Sequence, residues 1–142
     1  MSDYIINGPI SSARIAEEID IISKQHTVGG INFFLGQVRA DQKEEQKVVS
    51  IEYSAYPEMA NKVFAEIAEQ AKSQFNLERI VLLHSVGVVK VGEVGLLVLV
   101  GAAHRVETME GLRWTVEEIK ARVPVFGKEM LADNTHQWKV NR

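Results

Sequence analysis

Residues 95–129 read GLLVLVGAAHRVETMEGLRWTVEEIKARVPVFGKE, and the rest of the chain is organised around this stretch. Residues 96–103 are apolar at both odd and even positions, which is typical of a central strand covered on both faces. His104 and Arg105 follow immediately. We therefore expect a buried strand that delivers two basic side chains to one edge of a sheet.

A helix is predicted directly after this strand, over residues 108–122. Its apolar residues recur at spacings of three and four, and Pro124 stops it; they are Met109, Leu112, Val116, Ile119 and Val123. At about 100° per residue, Lys120 falls at the edge of the apolar face, and we expect the helix to bring it back beside His104 and Arg105 in one cationic pocket. Trp114 falls about 180° from that face, which leaves either a subunit contact or a second layer of the same core.

Composition narrows the possible functions. A chain of 142 residues with a net charge of -3 is most simply one domain, residues 1–142, and its overall field repels nucleic acid. It has no apolar run near the roughly 20 residues that cross a bilayer, and its start lacks the pattern of a signal peptide. We expect a cytoplasmic protein with no membrane or nucleic-acid partner.

The absence of cysteine bears on sulfur chemistry. The chain contains no cysteine, which excludes disulfides, thiolate metal sites and a cysteine nucleophile. If sulfur chemistry occurs here, another molecule brings the sulfur. The sequence also lacks a P-loop, a Gly-x-Ser-x-Gly elbow and a His-Glu-x-x-His motif, and its histidines lack partners at metal-ligand spacing, so no metal or cofactor is predicted.

Strands and helices are also indicated elsewhere in the chain. Apolar or alternating runs predict strands over residues 4–6, 31–38, 50–56 and 79–86, and helices that begin near Ser11 or Ser12 and at Pro57. Residues 40–47 are charged and aperiodic, which predicts a solvated loop. Residues 86–93 contain a glycine turn where a small antiparallel subdomain can start.

Basic residues at the ends of predicted elements are the candidates for an anion-binding active site. Arg39 ends the strand over residues 31–38, although a plain surface arginine is the alternative. Lys120 is either a lysine at a helix edge or, with a pKa lowered by its surroundings, a proton donor, base or nucleophile. His84 lies inside an apolar run and is interpreted as a core residue outside the site. Histidine, arginine and lysine together suit a phosphate or carboxylate substrate.

Several short motifs, in order, extend over almost the whole chain from Ile5. They are Phe34-x-Gly36-x-Val38-Arg39, Glu52-Tyr53-x-x-Tyr56-x-x-Met59, Gly87-x-x-x-x-Gly92-Glu93, Ala103-His104-Arg105, Lys120-x-Arg122-x-Pro124, Lys128-Glu129 and Trp138. With these motifs the chain resembles the large, catalytic subunit of molybdopterin synthase, the MoaE family.

That resemblance implies a fold, an assembly and a reaction. The fold is of the α+β class and α/β hammerhead-like, with a mixed, mostly antiparallel sheet, about three helices and a small β subdomain. The assembly is a homodimer within a heterotetramer, with a small ubiquitin-like sulfur-carrier subunit at each end. That subunit's C-terminal Gly-Gly thiocarboxylate donates sulfur to cyclic pyranopterin monophosphate (precursor Z), which forms the dithiolene of molybdopterin.

The resemblance also implies roles for individual residues. Arg39, His104 and Arg105 would hold the anionic substrate. Lys120 would act beside the thiocarboxylate carbonyl, as an acid or base or as a transient acyl acceptor. Arg142 matches a position from which a neighbouring protomer completes the pocket.

One departure from the family pattern concerns a second active-site lysine. Gly127 stands at that lysine's position, and Lys128 comes one residue later. A shift of one residue turns a side chain to another face, so Lys128 is catalytic only if the backbone at Gly127 adjusts. Otherwise Lys128 is a surface lysine paired with Glu129. Two further alternatives are a catalytically silent anion-binding module and a plain dimeric scaffold.

Overall fold

The computed structural model describes residues 3–140, in which three α-helices and eight β-strands follow one another. The strands are β1 (Ile5–Asn7), β2 (Gly30–Gln37), β3 (Gln42–Lys43), β4 (Gln46–Ala55), β5 (Arg79–Lys90), β6 (Val94–Ala102), β7 (Val125–Leu131) and β8 (His136–Trp138). The helices are α1 (Ser12–Ile22), α2 (Pro57–Phe75) and α3 (Arg105–Arg122).

The strands form one continuous sheet in the order β2-β6-β5-β4-β7-β8. In addition, β1 lies parallel to β5, and β3 pairs antiparallel with β4. The pairs along the main path are antiparallel. The predicted α+β class, with a mixed and mostly antiparallel sheet, is confirmed.

Strand β6 is the buried centre that its apolar run predicted. It lies between β2 and β5, and its residues from Leu97 to Val100 have no exposed surface. Val98 and Val100 face a core that α2 and α3 cover, whereas Leu97 and Leu99 pack with Ile22 of α1. Both faces are therefore covered by helices, which explains why both side-chain parities are apolar.

Strand β5 belongs to both halves of the sheet. Its residues 79–84 pair with β6, and its residues 87–90 pair with β4. The change of partner occurs at Gly87, whose φ of 87° lies in the left-handed region that glycine adopts without strain. Beyond it, β3, β4, β7 and β8 form the small β subdomain of the hammerhead-like fold, with its own apolar cluster.

Helices α1 and α2 begin where the sequence predicted, whereas α3 begins at Arg105, three residues before its predicted start at residue 108. The Ser11 side chain accepts a hydrogen bond from the Arg14 backbone N–H at 3.1 Å and caps α1. Pro57 opens α2, and Asn76, with a φ of 55°, ends it. α3 stops two residues before Pro124. Within residues 3–140, no helix is long and apolar enough to cross a membrane.

The predicted buried face of α3 is partly wrong. The helix buries Thr108, Gly111, Thr115 and Ile119, whereas Met109 is 59% exposed. These small residues let α3 lie close to its neighbours. At Gly111, for example, even a Cβ would lie only 3.1 Å from the Leu77 side chain. Trp114 packs against the core, with its ring centroid 5.8 Å from that of Phe75 in α2. This contact supports the second-layer explanation for Trp114.

The prediction for residues 40–47 was also wrong. They were predicted as a loop, but β3 and the start of β4 pair as a short hairpin, with Glu44 in the left-handed region at its turn. The hairpin's side chains are largely exposed or half-buried, so backbone pairing forms there without an apolar pattern. Hydrophobic periodicity carries no signal for such a ribbon.

Candidate active site

The path of α3 divides its functional side chains between two places. β2 starts opposite Ala102 and ends near Leu96, because it runs antiparallel to β6. α3 follows β6 and returns along β2, so its first turn lies beside Gly30, where a Cβ would lie 3.5 Å from the Cα of Arg105. Its last turn brings Lys120 beside Gly36 at the other end of β2.

At that other end lies a cleft of about 230 Å³, called the Lys120 cleft below. The end of β2 forms one wall. Its charged and polar lining residues include Arg39, Tyr53, His84, Lys120, Glu129 and Lys139. A smaller hollow shares four of them and is closed by Val123, Val125 and Gly127. The cleft lies where the main sheet meets the β subdomain.

Lys120 is partly buried in this cleft, and its pKa is lowered. Burial is the largest cause, because it disfavours the charged ammonium. The positive charge of Lys139 lowers the pKa further, and the carboxylate of Glu117 partly opposes both effects. Lys120 therefore has a larger neutral, nucleophilic fraction near neutral pH than an ordinary lysine.

His84 is both a core residue, as the sequence indicated, and a wall of the cleft, which the sequence did not indicate. It is 8% exposed, and its Nδ1 lies 2.9 Å from the Ser85 carbonyl oxygen, to which Nδ1–H donates. Burial lowers its pKa to about 4, and the charges of Lys120 and Lys139 act in the same direction. His84 is thus neutral at neutral pH.

Arg39 lies at the mouth of the cleft. Its side chain is 77% exposed, and its Nε lies 3.2 Å from a carboxylate oxygen of Asp41. Glu129 is buried deeper and accepts a hydrogen bond from Gln137 Nε2 at 3.1 Å. Burial and the charge of Glu129 raise the pKa of Tyr53, which keeps that phenol protonated. An anion entering the cleft first meets Arg39.

His104 and Arg105 lie at the opposite end of α3 from Lys120. Lys120 lies fifteen positions after Arg105 in the helix, a distance of about 22 Å along the axis. The His104 side chain is 81% exposed, with Nδ1 3.6 Å from Glu107. Within one chain, the structure brings Arg39 and Lys120 together but does not bring His104 and Arg105 to them.

Lys128 does not line the Lys120 cleft. Side chains alternate along β7, so Gly127 and Glu129 face the cleft and Lys128 faces away. Its Nζ lies 3.4 Å from Glu52, its cross-strand neighbour, rather than beside Glu129. The catalytic role of Lys128 remains a prediction. Arg142 lies outside the described residues, and its role also remains a prediction.

Lys139 is the cleft residue that the sequence did not reveal. It follows β8 and lines the Lys120 cleft, the smaller hollow and the adjoining surface near Arg39. No motif surrounds it, and only its position after Trp138, in a tail expected to pack, hinted at an ordered place. Its approach to Lys120 depends on the pairing of β8 with β7.

The chemistry of the cleft follows from these side chains. Two lysines and an arginine favour a bound anion, and a lysine with a lowered pKa can transfer a proton or accept an acyl group. In residues 3–140, no cluster of three or more histidine, aspartate or glutamate side chains is placed to hold a metal ion.

Comparisons with known proteins identify the family. Residues 5–122 match the model of the MoaE protein family. The molybdopterin synthase catalytic subunit of Pyrococcus abyssi is 41% identical over 117 residues, which are 82% of this chain and 78% of that one.

Solved structures extend the likeness to the fold. The molybdopterin synthase structure from Staphylococcus aureus has a TM-score of 0.86 and 26% identity, covering 99% of this chain and 98% of that one. The complex of subunits 1 and 2 of molybdopterin-converting factor from Helicobacter pylori contains a chain with a TM-score of 0.80, at 18% identity and with 97% and 90% coverage. The family match and the Pyrococcus relative together place the chain in the MoaE family.

Proposed function

We propose that this chain is the catalytic subunit of a molybdopterin synthase. It transfers sulfur from the C-terminal thiocarboxylate of a small ubiquitin-like partner to precursor Z, which forms the dithiolene of molybdopterin. The cytoplasmic location expected from the sequence is part of this proposal.

One observation carries the proposal: in a member of the MoaE family, Arg39 and Lys120 line one cleft although 81 positions separate them in the sequence. The substrate's phosphate and the partner's thiocarboxylate are both anions, and arginine and lysine bind such groups by charge-assisted hydrogen bonds. The chain has no cysteine of its own, so the sulfur must come from the partner.

Lys120 is the residue placed to act on the partner's terminal carbonyl. Its lowered pKa increases the fraction of neutral amine. Once the thiocarboxylate sulfur has bonded to precursor Z, this amine can attack the acyl carbon, so that the C–S bond breaks, the sulfur stays on the pterin and water later hydrolyses the acyl-lysine; alternatively, Lys120 exchanges a proton with the reacting atoms. Tyr53 and the neutral His84 flank it and add hydrogen-bonding groups without negative charge. We assign Arg39, at the mouth, to holding the anionic substrate.

The partner is a small subunit whose tail enters the cleft. The Helicobacter pylori structure is a complex of subunits 1 and 2 of a molybdopterin-converting factor. A tail that ends in two glycines has no side chains to clash with the walls of a cleft of about 230 Å³. This agreement in size and charge supports a thiocarboxylated Gly-Gly tail as the sulfur donor.

A second copy of the chain is proposed to complete the site. In the described residues β2 pairs with β6 alone, so its other edge is open. Exposed apolar side chains occur on β2 and on the first turns of α3, where soluble monomers rarely gather them; they are Ile31, Leu35, Val106 and Met109.

Two-fold symmetry then explains the separated basic residues. A two-fold axis perpendicular to β2 and close to it makes the neighbouring β2 and α3 run antiparallel to the first pair. Within one copy, His104 and Arg105 lie at one end of the β2–α3 unit, and Arg39 and Lys120 lie at the other end. In the antiparallel arrangement, the first pair of one copy would therefore lie near the second pair of the other. Each homodimer would hold two such sites, with a small subunit at each end of a heterotetramer.

Reconstitution tests the function. The protein is mixed with a thiocarboxylated partner and precursor Z, and dithiolene formation is measured against a partner that ends in an ordinary carboxylate. We expect product only with the thiocarboxylate. Tight binding of partner and precursor Z without dithiolene would instead identify a catalytically silent binding module.

A further inference from the structure

Lys139 reaches the Lys120 cleft from a fixed point of the backbone. Its N–H donates to the Gly127 carbonyl oxygen at 2.8 Å, which continues the pairing of β8 with β7. Lys139 is therefore held in register with Gly127 across the sheet. Its side chain lines both the cleft and the smaller hollow, together with Lys120 and His84.

Gly127 leaves the space through which the Lys139 side chain passes. A Cβ on Gly127 would lie 3.4 Å from Cδ of Lys139, 3.3 Å from the ring of Tyr53 and 3.0 Å from Ile51. The Cβ itself would be tight against Ile51 and Tyr53 and in ordinary contact with Lys139, so only a side chain extending beyond Cβ would take the place of the Lys139 stem. Gly127 is not among the described glycines with positive φ, so space rather than backbone conformation explains it.

The cleft around Lys139 carries more basic than acidic side chains, since Arg39, Lys120 and Lys139 share it with the carboxylates of Asp41 and Glu129. The positive charge of Lys139 lowers the pKa of both Lys120 and His84, so its ammonium group lies close to both side chains. Among the salt bridges of residues 3–140, none joins Lys139 to a carboxylate, whereas Lys128 has Glu52. Two lysines facing one cleft repel each other, and a bound anion relieves that repulsion.

We infer that Lys139 is a second substrate-contacting lysine of the Lys120 cleft, and that it binds the anionic sulfur donor or the precursor phosphate through the space that Gly127 leaves. This inference rests on the proposed function and goes further by naming a residue. Lys139 and Lys120 then both contact the negatively charged reacting groups, whereas Lys128 forms a salt bridge with Glu52.

Three variants test the role of Lys139. Lys139→Met keeps the apolar stem against Gly127 and removes the charge, Lys139→Arg keeps the charge, and Lys62→Ala removes an exposed lysine of α2 as a matched control. Dithiolene formation is measured with the partner and precursor Z. We expect Lys139→Met to lower kcat/KM about 100-fold, and Lys139→Arg to recover activity to within about tenfold of the unchanged protein.

A second readout does not depend on turnover. The pKa of Lys120 is followed by NMR of labelled lysine side chains in each variant. Other titratable groups lining the cleft stay in place, namely Arg39, Asp41, Tyr53, His84 and Glu129. Removing the Lys139 charge should raise the Lys120 pKa, and arginine at position 139 should keep it low.

The two readouts separate the possible failures. If the unchanged protein makes no dithiolene, the proposed function fails while the NMR titration still tests whether Lys139 faces Lys120. If Lys139→Met turns over like Lys62→Ala, or leaves the Lys120 pKa where it was, the inference about Lys139 is overturned. Thermal melting of each variant establishes that the comparison is between folded proteins.

Discussion

The two ends of α3 carry the same kinds of side chain in opposite surroundings. At its C-terminal end, Lys120 lies in a cleft with a lowered pKa, beside a buried and neutral His84. At its N-terminal end, His104 is 81% exposed and contacts Glu107 on the same helix. The first end is organised for chemistry by one chain alone, whereas the second is open surface.

This difference shows that the surroundings of a basic side chain, rather than its residue type, determine its protonation. Burial and like charges change the protonation of Lys120 and His84, and both effects require walls from the sheet and the tail. Residues at the open end keep their side chains in water until another molecule covers them. We therefore interpret the two ends as two halves of one site that a second copy joins.

The largest effect is expected at the buried end. Lys120→Ala should lower kcat for dithiolene formation by roughly 10³-fold, because the group that handles the acyl transfer or proton is removed. The oligomeric state, followed by light scattering, should not change, since Lys120 lines a cleft within one chain. Turnover within tenfold of the unchanged protein would show that the cleft is not the reaction centre.

Substitutions of the buried His84 and the exposed His104 can be compared for their effect on how the free energy of unfolding changes with pH. The folded pKa of His84 is about 4, below its ordinary 6.5, so the unfolded chain binds a proton first as the pH falls. Above pH 6.5, where His84 is neutral in both the folded and the unfolded chain, its contribution to the free energy of unfolding is complete. As the pH falls from 6.5 toward 4, this contribution, roughly 3 kcal/mol in total, is lost.

Urea unfolding at several pH values measures this difference. His84→Gln, which keeps a donor for the Ser85 carbonyl, should flatten the fall in unfolding free energy between pH 6.5 and 4. His104→Gln is the control: the fall should persist in this variant, because His84 is intact. Equal effects of the two substitutions would remove the contrast between the two ends of α3.

A smaller effect is expected at the mouth of the cleft. Arg39→Ala should raise KM for precursor Z about tenfold and change kcat little, because one charge-assisted contact is lost in ground state and transition state alike. The effect is modest since Arg39 is exposed and already pairs with Asp41. A fall in kcat with KM unchanged would instead place Arg39 at the reacting atoms.

The smallest effect is expected at the open end. Glu107→Gln removes the contact with His104 and one acidic group in the first turn of α3. Exposed pairs of this kind contribute at most about 1 kcal/mol, so thermal melting should shift by only a few degrees. A large loss of stability would mean that this end is already organised within one chain.

The sequence predicted those features that depend on local pattern. The buried strand β6, the Ser11 cap of α1, the start of α2 at Pro57 and the end of α3 before Pro124 follow from apolar runs and special residues, and the structure has them. The buried face of α3 was missed because Thr108, Gly111 and Thr115 pack by being small, which hydrophobic periodicity does not detect.

The candidate site was predictable only in part. Arg39 and Lys120 were identified from the ends of elements, and the resemblance to the family named them as well. Lys139 was missed because it joins the cleft through the register of β8 on β7, which no local pattern encodes. The separation of His104 from Lys120 was missed because the direction of α3 along β2 is a property of the fold.

The central claim is that Lys120 of one copy works with His104 and Arg105 of another. The most direct test is a mixed dimer of Lys120→Ala and Arg105→Ala chains, each carrying a different affinity tag and purified through both. Such a dimer keeps one site with all residues intact, so we predict about half the activity of the unchanged dimer, whereas each parent dimer lacks one of the two residues at both sites and should be far less active. A mixed dimer no more active than its parents would show that each chain must supply both ends of α3 itself.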